Sequence, residues 1–264
     1  MSFSVIVKNE SFKKYPEDIE VMANEIAAFL FENGVEKPDA VCVIKADTER
    51  RFPNINIENN GYVITLTNNV GSYWNSQLYE LAHELLHFFM RSSYVKDSND
   101  TDWGGLNWVE ETVCEASSFF FLDYYANNWS KSAIKRSNNN YAHYFSDYAC
   151  QQNAKNERQI LSYSGVTIEN VSEKEFKELN EAADNKDQRV RRARVMLRLA
   201  DIMRPWYFKG LVQYRNYIKN GLYLDSERYI KDFPGNKAVE LLCLISDRIA
   251  DRSVYKDLLL NGHL

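Results

Sequence analysis

The chain has 264 residues, a formal net charge of −5 and a hydrophobic content of 45%. This length and composition allow a substantial core in one large or two small domains. The acidic balance gives no electrostatic footprint for phosphate backbones, which argues against a nucleic-acid partner. No apolar run approaches the roughly 18 residues of a membrane-spanning helix, so no membrane partner is expected.

The amino terminus and the cysteines bear on the cellular compartment. The first ten residues lack the basic start and the long apolar stretch of a signal peptide. Cys42, Cys114, Cys150 and Cys243 are widely separated and make no CxxC spacing. Reduced thiols in the cytoplasm are the simplest interpretation, and the sequence therefore predicts a cytoplasmic protein.

The first 70 residues predict one helix and a small sheet. A helix is expected over about residues 16–33, and a strand over residues 40–45. Apolar and polar residues then alternate on both sides of an Asn-Asn-Gly turn, which predicts a β-hairpin over residues 55–66. Residues 62–67 are expected either to form a sheet edge that takes up an extended peptide or to be an ordinary internal strand.

The next segment is predicted to be a helix over residues 75–90. Its apolar residues recur at helical spacing, at Leu78, Leu81, Leu85, Phe88 and Phe89. The same helix carries His83-Glu84-Leu85-Leu86-His87, an HExxH string. In a chain with four histidines, about 0.004 such strings are expected by chance, so an amphipathic helix with incidental histidines is the weaker interpretation.

The HExxH spacing suits a metal ion. Residues four apart lie on one face of a helix, so His83 and His87 can present two imidazole nitrogens to one metal. Glu84 lies about 100° round the helix, where its carboxylate can reach a water on the metal without occupying a coordination position. A catalytic zinc takes three protein ligands and keeps one open position, so a third donor is required elsewhere.

A second helix, predicted over residues 108–125, offers that donor. Glu111 and Glu115 share one face of it, which suggests that one binds the metal and the other accepts the free ring N–H of a ligand histidine. Glu110 points about 100° away from this face. It is expected to be a solvated residue of the first turn, favoured there by the helix dipole.

The HExxH string, followed 24 positions after His87 by Glu111, resembles the gluzincin arrangement, and within it the ImmA/IrrE family of small intracellular metallopeptidases. The resemblance covers about residues 55–125. It implies that His83, His87 and Glu111 bind zinc, that Glu84 is the general base, and that Glu115 orients a ligand histidine. It also implies a protein substrate such as a repressor or another regulator.

Hydrolysis of a peptide bond also needs a hydrogen-bond donor for the anionic intermediate. Among 17 tyrosines and four histidines, the first candidates are His143, Tyr94, Tyr141 and Tyr144. His143 is chosen because the other histidines lie in the motif or at the C-terminus. A surface or capping histidine is the alternative for this residue.

Residues 1–150 are predicted to form one domain, and residues 151–264 a mainly helical region of undetermined role. Helices are expected over residues 189–203, 206–220 and 238–260, with a capping signal in Ser172 and Glu175.

Two further features of this region have a structural interpretation. Its aromatic side chains are expected to form a core, at Trp206, Tyr207, Phe208, Tyr214 and Tyr217. The basic run over residues 189–198 is interpreted as a solvated helix face, with a contact to an acidic partner or nucleic acid as the alternative.

Together these features predict an α+β protein with a zincin-like N-terminal domain, made of a small mixed sheet, the HExxH helix and the glutamate helix. The predicted function is zinc-dependent peptidase activity on a protein or peptide substrate. The alternative is a metal-binding sensor or interaction protein with little turnover, in a regulatory or defence pair. An intact Glu84 favours the enzyme, because a scaffold has no use for that carboxylate. The sequence carries no signal for an oligomeric state.

Overall fold

The computed structural model describes residues 3–58, 61–68, 73–94, 106–136, 140–163, 186–219, 221 and 223–247. The chain divides into two compact units. Unit 1 is Met1–Ser93 with Cys114–Ala154, and unit 2 is Tyr94–Val113 with Lys155–Leu264. A small mixed sheet and a mostly helical remainder confirm the α+β class.

Unit 1 contains a four-stranded sheet in the order β1-β2-β4-β3. The strands are β1 (Ser4–Val7), β2 (Val41–Ala46), β3 (Asn54–Glu58) and β4 (Gly61–Leu66). β1, β2 and β4 are parallel, and β3 is antiparallel to β4. The strand predicted over residues 40–45 and the predicted hairpin are confirmed, whereas β1 was not predicted.

The hairpin register differs in one detail from an Asn-Gly turn. Glu58 pairs with Gly61, so Gly61 is the first residue of β4, directly after Asn59 and Asn60 of the predicted turn. These asparagines lie outside the described residues. The proposal of β4 as a peptide-binding edge is wrong, because β4 pairs with β2 on one side and β3 on the other. Its last four residues are buried, as expected of an internal strand.

Four long helices include residues of unit 1: α1 (Pro16–Glu32), α2 (Trp74–Ser92), α3 (Asn107–Asn128) and α4 (Ala142–Ser162). The predicted helices over residues 16–33, 75–90 and 108–125 are confirmed. All five predicted apolar positions of α2 are fully buried. Each such side chain contributes about 1.5–3 kcal/mol on burial, which fixes the face that α2 turns to the core.

Two polar contacts hold α2 to its neighbours. At its first turn, the Trp74 indole donates a buried hydrogen bond of 2.9 Å from Nε1 to Asp18 Oδ2 on α1. Further along, the Glu80 carboxylate accepts hydrogen bonds from the backbone N–H of Thr67, at 2.8 Å, and from its hydroxyl. Because Thr67 follows β4 directly, Glu80 ties the end of this strand to α2.

Loss of the indole donor is expected to destabilise unit 1. Burial raises the pKa of Asp18, and the Trp74 hydrogen bond opposes this shift. A raised folded-state pKa means that this carboxyl favours folding at acid pH and that the contribution is lost as the pH rises through the folded pKa. Trp74→Phe raises that pKa further, so it should cost about 1–3 kcal/mol of unfolding free energy at neutral pH and less in acid.

Urea unfolding of wild type and Trp74→Phe at neutral pH and at acid pH measures this change in the free energy of unfolding. The control is the same substitution in an Asp18→Asn background, where the cost should not depend on pH. A cost of Trp74→Phe that is equal at the two pH values would contradict the assignment of the hydrogen bond.

Unit 2 contains one long helix, α5 (Lys186–Ile202), followed by shorter elements. These are α6 (Phe208–Val212), β5 (Ile218–Lys219), β6 (Tyr223–Leu224), α7 (Ser226–Asp232) and α8 (residues 237–247). β5 and β6 form an antiparallel pair. Ser172 and Glu175, like residues 248–264, lie outside the described part of the chain.

The single helix predicted over residues 206–220 is wrong beyond Val212. The chain turns through a 3-10 segment, Tyr214–Tyr217, and then enters the β5–β6 hairpin, where Gly221 has a φ of 69°. Glycine adopts such a left-handed conformation without steric cost, which suits the turn of a hairpin. The predicted aromatic core is correct for four of the five residues, but Trp206 is 62% exposed.

Among the described residues, no helix combines the length with the apolar character that crossing a bilayer requires.

Candidate metal centre

The candidate site depends on the close packing of α2 against α3. Two buried serines of α3 face the backbone of α2. Ser118 Oγ donates to the carbonyl oxygen of Tyr79 at 2.8 Å, and Ser117 Oγ, which donates to the Cys114 carbonyl at 2.7 Å, lies 3.3 Å from that of Ala82. Small side chains allow two helix axes to approach closely. Longer side chains on either side of this seam therefore meet directly.

Tyr79, His83 and His87 form a stripe along α2 because they are spaced by four residues. Opposite the stripe lies Glu115 of α3, whose Oε2 is 3.5 Å from Nδ1 of His83. The hydroxyl of Tyr79 donates to Oε1 of the same carboxylate. Tyr79 was not predicted from the sequence, although its spacing from His83 is the signal that could have revealed it.

The position of Glu115 favours one tautomer of His83. A carboxylate beside Nδ1 stabilises a proton on that nitrogen, which leaves Nε2 as a lone-pair donor. A distance of 3.5 Å lies at the outer limit for a hydrogen bond, so the contact is a weak one in this geometry. The structure thus places the Glu115 carboxylate beside one of the two motif histidines, His83, and its role in orienting a metal ligand stays a prediction.

His83, His87 and Glu111 lie together. One ligand atom from each lies within 4.8 Å of the other two. Glu111 precedes Glu115 by one turn of the continuous helix α3, so it follows the same face towards the second histidine. The exposed fractions of the His83 and Glu111 side chains are 15% and 21%, while His87 is buried. Solvent can therefore reach this cluster.

The donor set fits a zinc ion. Two imidazole nitrogens at the usual zinc distance and a tetrahedral angle are about 3.3 Å apart. Nε2 of His83 and Nε2 of His87 are 3.1 Å apart. A hydrogen bond between two neutral rings gives the same distance, but a zinc site also requires a third donor, and Glu111 meets this requirement.

Glu84, the predicted general base, is the neighbour of His83 in the sequence and is only 3% exposed. Its carboxylate is therefore shielded from bulk water. A shielded carboxylate close to a metal ion feels a stronger electrostatic interaction than one in bulk water.

The prediction that Glu110 is solvated is wrong. Glu110 is 1% exposed, and its Oε2 accepts hydrogen bonds from the Tyr214 hydroxyl at 2.5 Å and from Arg215 Nε at 3.1 Å. Arg215 Nη2 donates to the same oxygen. The helix dipole alone would leave this carboxylate in water, but a positive partner 105 positions downstream allows its burial. Local sequence carries no signal for that partner.

Glu110→Ala is expected to lower the free energy of unfolding by about 3–5 kcal/mol, because it leaves the buried Arg215 without its counter-charge. Urea unfolding of the metal-free protein measures this loss. Glu58→Ala is the control, since it removes an exposed pair with Lys45 and should cost less than about 1 kcal/mol. Equal losses in the two variants would contradict the buried pair.

The interpretation of residues 189–198 as a solvated face is wrong for Arg192, which is 6% exposed. Its Nη2 lies 3.9 Å from Oε2 of Glu111. Arg194 and Arg198, in contrast, are exposed. Arg192 is thus a neighbour of the candidate site that sequence reasoning missed, because nothing in the run distinguishes it from the other arginines.

Two of the candidate donors for the anionic intermediate, Tyr141 and Tyr144, contact Asn75 near the start of α2. The hydroxyl of Tyr141 donates to Asn75 Oδ1 at 3.0 Å, and Asn75 precedes His83 by about 12 Å of helix rise. Tyr144 and His143 are exposed, with ring centroids 3.9 Å apart, and the Tyr144 carbonyl also accepts from Asn75.

Tyr94 is partly exposed just beyond the end of α2. The catalytic role of all four candidates stays a prediction.

Comparison of the chain with models of protein families, with curated proteins and with solved structures finds no match.

Proposed function

We propose that this protein is a zinc-dependent peptidase of the gluzincin type, for which the ImmA/IrrE family is the resemblance that the motif residues suggest. The observation that carries the proposal is the convergence of His83, His87 and Glu111, whose ligand atoms lie within 4.8 Å of one another although Glu111 is distant in sequence. Two imidazoles and a carboxylate are the donor set of many hydrolytic zinc sites.

When bound, zinc supplies a Lewis acid for the scissile carbonyl and lowers the pKa of a water molecule towards about 7. His83, His87 and Glu111 are the residues that hold it. Glu84 accepts the proton of the attacking water and passes it to the leaving amine. Glu115, itself fixed by Tyr79, keeps the His83 ring in the orientation and tautomer that metal binding needs.

The substrate in this proposal is an extended segment of a specific protein, such as a repressor or another regulator. With β4 inside the sheet, β3 becomes the candidate edge for strand addition. β3 is close to the motif helix, because Arg91 Nη1, one turn after His87, donates to the carbonyl oxygen of Ile55 at 3.3 Å. A peptide along β3 would therefore pass near the histidines.

The proposed compartment is the cytoplasm. All four cysteines are thiols rather than disulfides, and three of them are buried. Burial raises the pKa of Cys243 to about 12, which keeps this thiol protonated and unreactive at neutral pH. Inert buried thiols are what a reducing compartment allows.

Metal content tests the ligand assignment. Purified wild type should retain close to one zinc per chain by plasma mass spectrometry, and Glu111→Ala should lose far more metal than Glu58→Ala, which removes an exposed carboxylate on β3. The reason is that only the first substitution removes a donor atom from the cluster. Equal zinc content in these two variants would remove Glu111 from the ligand set.

Cleavage assays test the chemistry. Zinc-loaded wild type and Glu84→Gln are incubated with a peptide library and with candidate partner proteins encoded nearby, and products are identified by mass spectrometry. Loss of the general base should slow cleavage about 10²–10⁴-fold while zinc content is unchanged. Cleavage at the wild-type rate in Glu84→Gln would exclude this residue as the base.

A second candidate function is that of a metal-binding sensor or interaction protein with little turnover. The burial of Glu84 favours it, because a carboxylate that is 3% exposed needs some opening of the site before substrate can reach it. Zinc binding by the wild type without cleavage of any library peptide or candidate partner would support this alternative.

A further inference from the structure

Two arginines of unit 2 face two successive carboxylates in the first turn of α3. Arg215 binds Glu110 through Nε at 3.1 Å and through Nη2, and Arg192 Nη2 lies 3.9 Å from Oε2 of Glu111. Both arginines are buried, with 8% and 6% exposure. Arg215 therefore hydrogen-bonds this helical turn, and Arg192 lies at ion-pair distance from its next residue.

A buried ion pair is weak evidence for added stability, because removing both charges from water costs about as much as their attraction returns. Such a pair does define the geometry of the carboxylate, since the planar guanidinium donates hydrogen bonds to it in only a few relative orientations. The hydroxyl of Tyr214 restricts the orientation of the Glu110 carboxylate further, because it donates to the same oxygen that Arg215 binds. The rotation of this turn about the axis of α3 is thereby fixed.

We propose that Arg192 and Arg215 are positioning residues for the third metal ligand. Arg215 fixes the helical turn through Glu110, and Arg192 restrains the carboxylate of Glu111. Zinc affinity then depends on residues far outside the HExxH helix, which gives the C-terminal part of the chain a role at the metal centre. This inference rests on the proposed function, because it takes Glu111 to be a ligand.

Zinc affinity of the full-length protein, measured by competition with a chelating indicator, tests the inference. Arg192→Gln and the charge-neutral double variant Glu110→Gln/Arg215→Gln should each bind zinc about 10–100-fold more weakly than wild type. Arg192→Lys, which keeps the charge but not the planar group, should fall between Arg192→Gln and wild type. Thermal unfolding in the presence of a chelator identifies the temperature at which all variants are folded.

Arg228→Gln is the matched control. Arg228 also lies 3.9 Å from a carboxylate, that of Asp232, but its side chain is 61% exposed. This variant should bind zinc as tightly as wild type.

The direction of the change in zinc affinity in Arg192→Gln distinguishes a positioning role from simple repulsion between the arginine and the metal ion. If Arg192 acts only as a positive charge near the metal, its removal should tighten zinc binding. Unchanged or tighter binding in Arg192→Gln, with affinity still lost in Glu111→Ala, would overturn the inference and leave the proposed function intact. Unchanged zinc binding in Glu111→Ala would overturn both.

Discussion

The seam between α2 and α3 is the constraint on which the candidate site depends. Ser117 and Ser118 keep the helices close, and Ser118 donates to a carbonyl oxygen of α2, so no large side chain separates the two backbones at this point. The α-helical period then aligns one stripe on each helix: Tyr79, His83 and His87 on α2, and Glu111 and Glu115 on α3. A bulkier residue in the seam would push the glutamates away from the histidines without altering any functional side chain.

The first turn of α3 shows why identical residue types in one sequence have different fates. Glu110 and Glu111 are neighbours, and both would be favoured in water by the helix dipole. Glu110 is buried because Arg215 and Tyr214 offset its desolvation, whereas Glu111 keeps 21% exposure and lies with the histidines. The hydrogen-bond partners, and not the local sequence, therefore decide which of the two carboxylates is fully buried.

Much of unit 1 could be predicted because its signals are local. Periodicity located α1, α2 and α3, and the alternation around the asparagine pair located the hairpin. The order of the strands is a non-local property, so the internal position of β4 and the existence of β1 could not be derived from pattern alone. The predictions that Arg192 and Glu110 are solvated failed for the same reason, because the burial of each depends on a partner distant in the chain. In unit 2, the helix predicted over residues 206–220 ends at Val212, and the chain continues through the 3-10 segment Tyr214–Tyr217 into β5.

Electrostatics links the proposed metal to the stability of this helix pair. Glu84 and Glu115 are buried beside His83, and a buried carboxylate is costly unless charge or hydrogen bonds compensate it. The Tyr79 hydroxyl compensates Glu115 by hydrogen bonding, without adding positive charge. A divalent cation on His83, His87 and Glu111 would supply charge at the centre of the group, so metal binding and the folding of α2 against α3 become one coupled equilibrium. Negative charge that is costly in the metal-free protein would therefore favour a cation at the proposed site.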